Sequence, residues 1–314
     1  MIANPLILFG MSPVWLKPLW KVGVGALIAV VAFVVLRELL RLVVPKVVAI
    51  AWTPAKAATS QSLFYVLLAI GVCSLILFPF IPYNTLGEDI KMVKEEGLPL
   101  IMVLSTIFAV WTASVSIADE IEGRTALTLL SKPVGRREFI FGKFLGVLTP
   151  VVVMFIVLGA IFLSSVSFKA VYDARENGMT EPGQQECWNE IVQIAPGLGL
   201  AFMETIVLAA ISVAISTRLP MLPNLIICAT IYVLGNLVPS LLNSAVGKNE
   251  YVRFIAELQA AIFPVLDHFN IASVISTGQK VTVEYFAWAG LYCVLYSAVA
   301  MLLALLLFED RDLA

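Results

Sequence analysis

The chain has 314 residues, of which 60% are hydrophobic and only 13% charged, and its mean hydropathy is +0.96. A soluble domain of this size needs more charge to wet its surface, so the composition makes bilayer the solvent. The net charge of −2 contains no lysine or arginine run suited to nucleic acid, and the four cysteines (Cys73, Cys187, Cys228, Cys293) lack both C-x-x-C spacing and a paired framework.

Crossing the hydrocarbon takes ~20 apolar residues at 1.5 Å rise each. Seven runs qualify: 19–36, 63–81, 98–118, 144–164, 198–217, 222–242 and 285–308. Pro18 and Lys21 crowd the start of the first, which leaves two readings: a full span, or an interfacial helix with six spans after it. The opening residues lack the basic stretch and small-residue cleavage site of a secretory signal, so retained anchoring is expected.

The segments between these runs differ in charge. Residues 37–62 hold four basic residues and one acid, whereas 82–97 hold two and four, 165–197 two and five, and 243–284 three and four. Residues 118–143 carry five basic residues and four acids. Basic connections stay in the cytosol, so alternation places 37–62, 118–143, Arg218 and the C-terminal tail inside. Residues 37–57 space Arg37 and Arg41 one helical turn apart, with Trp52 suited to an interface. They fit either an amphipathic helix on the cytosolic surface or an extension of the first span with snorkelling arginines. Residues 165–197 read as a solvated outer loop broken by Pro182, Gly183, Pro196 and Gly197, with Cys187 inside it. Residues 251–271 are apolar near helical period and fit an interfacial helix that breaks near Pro264.

Few residues carry chemistry. Glu204 is the one acid within an apolar run and thus a possible intramembrane polar site; a hydrogen bond to a serine or threonine of another helix would satisfy it without any transport role. His268 is the only histidine and follows Asp267, so it reads as a polar interface residue, without a second histidine for a metal. Gly135 and Gly142 superficially suggest a phosphate loop, but they stand seven apart where the loop needs five, and Phe144 replaces the magnesium-binding hydroxyl. Neither a nucleotide nor a metal is expected on this chain, and no catalytic motif is present.

The stretch ADEIEGRTALTLLSKPVGRREFIFGK, residues 118–143, packs nine charged residues into this apolar chain. A short helix over 121–130 stops at Ser131-Lys132-Pro133, because the residue before proline avoids helical dihedrals. Arg136 and Arg137 mark the membrane edge, and Gly142 and Gly146 form a small-xxx-small pair for close helix packing. Spacing alone leaves this stretch as either a relay from a cytosolic partner or a solvated loop.

Glu120, Thr125, Leu129, Leu130, Pro133, Val134, Arg136, Glu138, Gly142 and Lys143 stand where the first cytoplasmic loop of type-2 ABC transporter permeases carries its pattern. The chain resembles that family over about residues 60–314. Gly123-Arg124 reverses the usual order before the threonine, Gly135 replaces a serine, and FEDRDL at 308–313 is similar to the family's cytosolic end. The resemblance implies an all-α polytopic membrane protein: a six-span type-2 ABC permease core plus one extra N-terminal transmembrane helix. Residues 1–62 would hold that helix and an amphipathic connecting helix. Residues 63–314 would be the core, with coupling loop 118–143 and outer-face segment 243–284.

It further implies a permease subunit of an ABC exporter in the inner membrane, C-terminus cytoplasmic, without catalysis of its own. A separate cytosolic ABC ATPase would bind ATP and magnesium, and a second permease chain, the same or different, would complete the complex. Glu120, Glu122, Arg124, Thr125, Leu129, Pro133, Arg136 and Gly142 would carry the coupling. Two other classes fit the same composition: a gradient-driven transporter or channel with Glu204 as its ion site, and a non-transporting membrane scaffold or sensor.

Overall fold

The computed structural model describes residues 13–81, 83, 89–122, 135–242, 250–271, 274–275 and 281–309. Among these residues the chain forms nine α-helices: α1 (Leu19–Val43), α2 (Pro45–Ser60), α3 (Ser62–Leu77), α4 (Asp89–Glu122), α5 (Arg136–Glu176), α6 (Gln184–Ser216), α7 (Met221–Leu242), α8 (Glu250–Ile262) and α9 (Val283–Glu309). Six stretches are long and apolar enough to cross a membrane: Val14–Val43, Ser62–Phe80, Asp89–Ile117, Arg136–Glu176, Gln184–Ser216 and Val283–Glu309. The sixth expected run is the 22-residue α7, whose stretch Met221–Leu237 is apolar but shorter.

The first two helices resolve the reading of 37–57 by dividing it. Arg37 and Arg41 lie on α1, which continues to Val43. The helix then stops at Val44 (φ −132°, ψ 67°), because Pro45 bars helical dihedrals at the residue before it while suiting the first position of α2. The new helix buries Val47, Val48, Ala51, Ala55 and Ala58 on one face and leaves Trp52 on the other.

Helices α4, α5 and α6 form the centre, with 67% of the apolar stretches of α4 and α6 buried, against 6% for that of α1. The leading helix is therefore peripheral. Phe108, Met154, Leu158, Phe162, Val207 and Leu208 are fully buried in this core, and the outward faces of α1, α3 and α9 present Leu27, Val66 and Leu302 to the surroundings.

The acidic connection over 165–197 is shorter than the charge pattern suggests. Residues 165–197 are not a loop: α5 continues to Glu176 and α6 starts at Gln184. Gly178, at φ 63°, closes α5 in the left-handed conformation, and the Met179 N–H donates back to the Ala174 carbonyl at 2.8 Å. Pro196 and Gly197, expected as breakers, lie within α6, and Cys187 is buried rather than in a polar loop. Charges remain on these helix ends because they pair between helices. Lys169 is fully buried, with its Nζ 2.9 Å from Asp173 Oδ1, 3.5 Å from Asp89 Oδ2 and 3.1 Å from the Pro79 carbonyl oxygen. Buried Lys94 likewise pairs with Glu190 and donates to Gln193 Oε1 at 3.0 Å. The predicted break in 251–271 is present, since α8 ends at Ile262 and a turn at Leu266–Phe269 follows Pro264.

Candidate coupling edge and intramembrane polar sites

The start of α5 is held from three directions. The Glu138 carboxylate reaches back to accept the Gly135 N–H at 2.9 Å, satisfying one of the donors orphaned at a helix N-terminus. Its other oxygen lies 3.6 Å from Lys46 Nζ on α2. Arg136 donates to the backbone carbonyl of Glu309 at 3.4 Å, and the Phe139 ring stacks on Phe308, joining α5 to the end of α9. Lys46, Arg136, Arg137, Glu138, Leu305 and Glu309 line a polar recess of about 470 Å³ at this edge.

Gly142 and Gly146 face α2. A Cβ on Gly142 would stand 2.6 Å from Ile50 Cγ2 and 3.1 Å from the Val47 carbonyl oxygen; one on Gly146 would meet Pro54 and lie 2.9 Å from the Ala51 carbonyl oxygen. The small pair thus lets two backbones approach, and its partner is the connecting helix. The ring of Phe139 also lies 5.4 Å below buried Lys143 Nζ.

The expected coupling residues divide by position. Arg136, exposed at the N-terminus of α5, and buried Gly142 belong to this edge. Glu120 and Glu122 fall in the last turn of α4. Arg124, Thr125, Leu129 and Pro133, with the short helix expected over 121–130 beyond its first two residues, lie outside the described residues.

Glu204 is buried on α6, and its Oε1 accepts from Asn236 Nδ2 of α7 at 3.2 Å. The interhelical hydrogen bond expected for Glu204 is present, with an asparagine rather than a serine or threonine as its donor. Asn236 also donates to the Tyr232 carbonyl at 3.1 Å, so each N–H of its amide has an acceptor. The exposed His268 packs its ring edgewise on Tyr292, with centroids 5.3 Å apart, as an interface residue would.

A second polar centre went unnoticed in the sequence. Asn224, fully buried at the start of α7, has its Nδ2 at 2.7 Å from Ser114 Oγ of α4 and 2.8 Å from both Ser212 and Ser216 Oγ of α6. Two N–H groups cannot serve three hydroxyls at once, so at most two accept from it. The Cys228 thiol caps the Asn224 carbonyl oxygen at 3.3 Å. The signal was present: Asn224 and Asn236 are amides within one apolar run, twelve residues apart. An ionisable residue draws notice there, whereas a neutral amide does not.

The model of the ABC-2 family of transporter proteins matches residues 25–313. The chain belongs to that family. The match begins inside α1, upstream of the six spans that the loop pattern alone covers. No curated protein matches the permease significantly. Family membership makes it a multi-pass membrane transport component whose kind works with an ABC ATPase.

Proposed function

We propose that this permease is the membrane subunit of an ATP-driven exporter, energised by a separate cytosolic ATPase that docks on residues 118–143. The observation that carries the reading is the attachment of α5 at its first three turns to both α2 and α9, through Gly142, Glu138, Arg136 and Phe139. A displacement applied to the preceding loop reaches α5, the connecting helix and the last span together, because packed helices move as bodies rather than deform.

On this reading Glu120, Glu122, Arg124, Thr125 and Arg136 meet the ATPase, Leu129 and Pro133 shape the docking turn, and Gly142 keeps α2 in step with α5. ATP and its magnesium belong to the partner. Two permease chains, identical or different, flank the substrate route, and the basic connections with the C-terminus face the cytosol of the inner membrane.

The deciding experiment is co-purification and transport with the ATPase partner. Reversing Arg124 and Arg136 to glutamate together is expected to release the ATPase and abolish ATP-dependent transport. Normal transport by that double variant would overturn the proposal.

A further inference from the structure

The geometry points to a bound anionic phospholipid in the gap between α1 and the bundle, with its acyl chain along α5 and α6 and its phosphate at Arg37. The gap is a cavity of about 720 Å³ bounded by α1 and α2 on one side and by α5 and α6 on the other. Its wall is almost wholly apolar: Ala29 and Phe33 of α1 face Val152 and Ile156 of α5 and Leu198 of α6. Beside α1 there is open space, since a Cβ on Gly25 would meet nothing within 4 Å. A gap of this size lined by hydrocarbon and open to the bilayer is filled by lipid tails, because an empty one would forgo dispersion contacts along its whole wall.

The charge at its two mouths selects the headgroup and its end. From Lys21 to Arg37 the cavity runs about 24 Å along α1, most of the ~30 Å hydrocarbon thickness. At the far mouth Lys21 lies over the Trp188 ring at 4.5 Å, and Glu186 and Glu190 sit on the adjoining turns of α6, a poor setting for an anion. At the other mouth the Arg37 guanidinium stacks on Trp52 at 4.4 Å, which leaves its N–H edge open for bidentate contact with a phosphate. Among the described residues no carboxylate lies within ion-pair distance of Arg37; Glu38 pairs with Arg41 instead. Trp52, which lines the same mouth, suits the headgroup level. The site depends on the chain lying in a membrane, and on neither an ATPase nor the direction of transport.

The test is lipid retention by the purified full-length chain, read by native mass spectrometry after titration with phosphatidylglycerol or phosphatidylcholine. Arg37→Gln is expected to weaken phosphatidylglycerol binding about fivefold, the effect of one basic residue near an anionic headgroup, and to leave phosphatidylcholine unchanged. Ala29→Phe, which fills the gap from an exposed position of α1, is expected to reduce both. Arg253→Gln, on the exposed face of α8, should change neither. A phospholipid carrying a photoreactive group midway along its acyl chain should label α1 and α6 around Ala29 and Leu198. Equal retention of the two lipids, undiminished phosphatidylglycerol binding by Arg37→Gln, or cross-linking of an Ala29→Cys variant to a second copy in the membrane would each overturn the proposal.

Discussion

The rings of Phe139 and Phe308 stack with centroids 5.6 Å apart and planes inclined by 22°, so the first turn of α5 and the last turn of α9 form one unit although 169 residues separate them in the chain. Both side chains are buried. An aromatic pair of this kind contributes about 0.5–1.5 kcal/mol beyond its area burial. A double-mutant cycle of Phe139→Leu and Phe308→Leu, read by unfolding of the purified permease, should return a coupling energy in that range. If the two substitutions are purely additive, α5 and α9 are not joined through these rings.

Gly142 is one of two positions, with Gly146, where the absence of a side chain lets α2 and α5 approach closely. Gly142→Leu would push against Ile50 and the Val47 backbone, and the carbonyl cannot yield as a flexible side chain would. The expected result is a permease that still inserts but transports at least tenfold more slowly, a barrier change of about 1.4 kcal/mol. Gly25→Leu, with open space around its Cβ, is the control and should transport normally.

Removal of the Asn224 amide should cost little for a group buried so completely. Two of the hydroxyls that accept from it donate elsewhere, Ser114 to the Val110 carbonyl at 2.9 Å and Ser216 to the Ser212 carbonyl at 2.7 Å. Asn224→Leu therefore removes interhelical bonds while Ser114 and Ser216 keep their acceptors, and it strands the weak S–H donor of Cys228. A loss of about 0.6–1.7 kcal/mol is expected for unfolding in mixed detergent, from the average to the maximum found for single membrane hydrogen bonds. A loss above ~3 kcal/mol would mean that the network also holds the α6–α7 turn in register.

Glu204 separates the proposed function from its gradient-driven rival. Glu204→Gln keeps a carbonyl acceptor for Asn236 while removing the ionisable group, so ATP-driven transport should continue within about twofold of the parent rate. Transport that survives ATP depletion and disappears in Glu204→Gln would instead make Glu204 an ion site.

Lys169 is a buried cation with two carboxylates around it. Lys169→Met leaves Asp173 and Asp89 facing each other without it, and removal of one partner of a buried pair typically costs about 3–5 kcal/mol. The variant should express poorly, and Lys169→Met combined with Asp173→Leu should recover part of the loss in a thermal unfolding assay. No recovery would show that Lys169 matters for its bond to the Pro79 carbonyl instead.

Much of this architecture is legible in local composition. Each apolar run coincides with a helix, because a backbone in hydrocarbon must satisfy its own polar groups and a helix does so within one segment. Pro45 and Pro264 end helices where their chemistry requires it. Charge does not end a helix where it is paired: Lys94 and Lys169 stay on helices by pairing with Glu190 and Asp89 from elsewhere in the chain, and Lys169 also with Asp173 one turn along its own helix. At the start of α5, Arg136 and Gly142 were legible as polar and small residues, but their partners Glu309 and Ile50 were not, lying 173 and 92 positions away.

The sequence by itself determined that this is a multi-pass membrane protein, which stretches are helical and which connections are basic, since hydropathy, charge and proline act over a few neighbouring residues. It also carried the family pattern in residues 118–143. Only the tertiary structure decided that Gly142 and Gly146 serve α2, that Asn236 answers Glu204, that Asn224 gathers three serines, and that α1 stands apart to leave a cationic-mouthed gap. Those are relations between helices distant in the chain, and helix packing sets them through shape complementarity that no local stretch encodes.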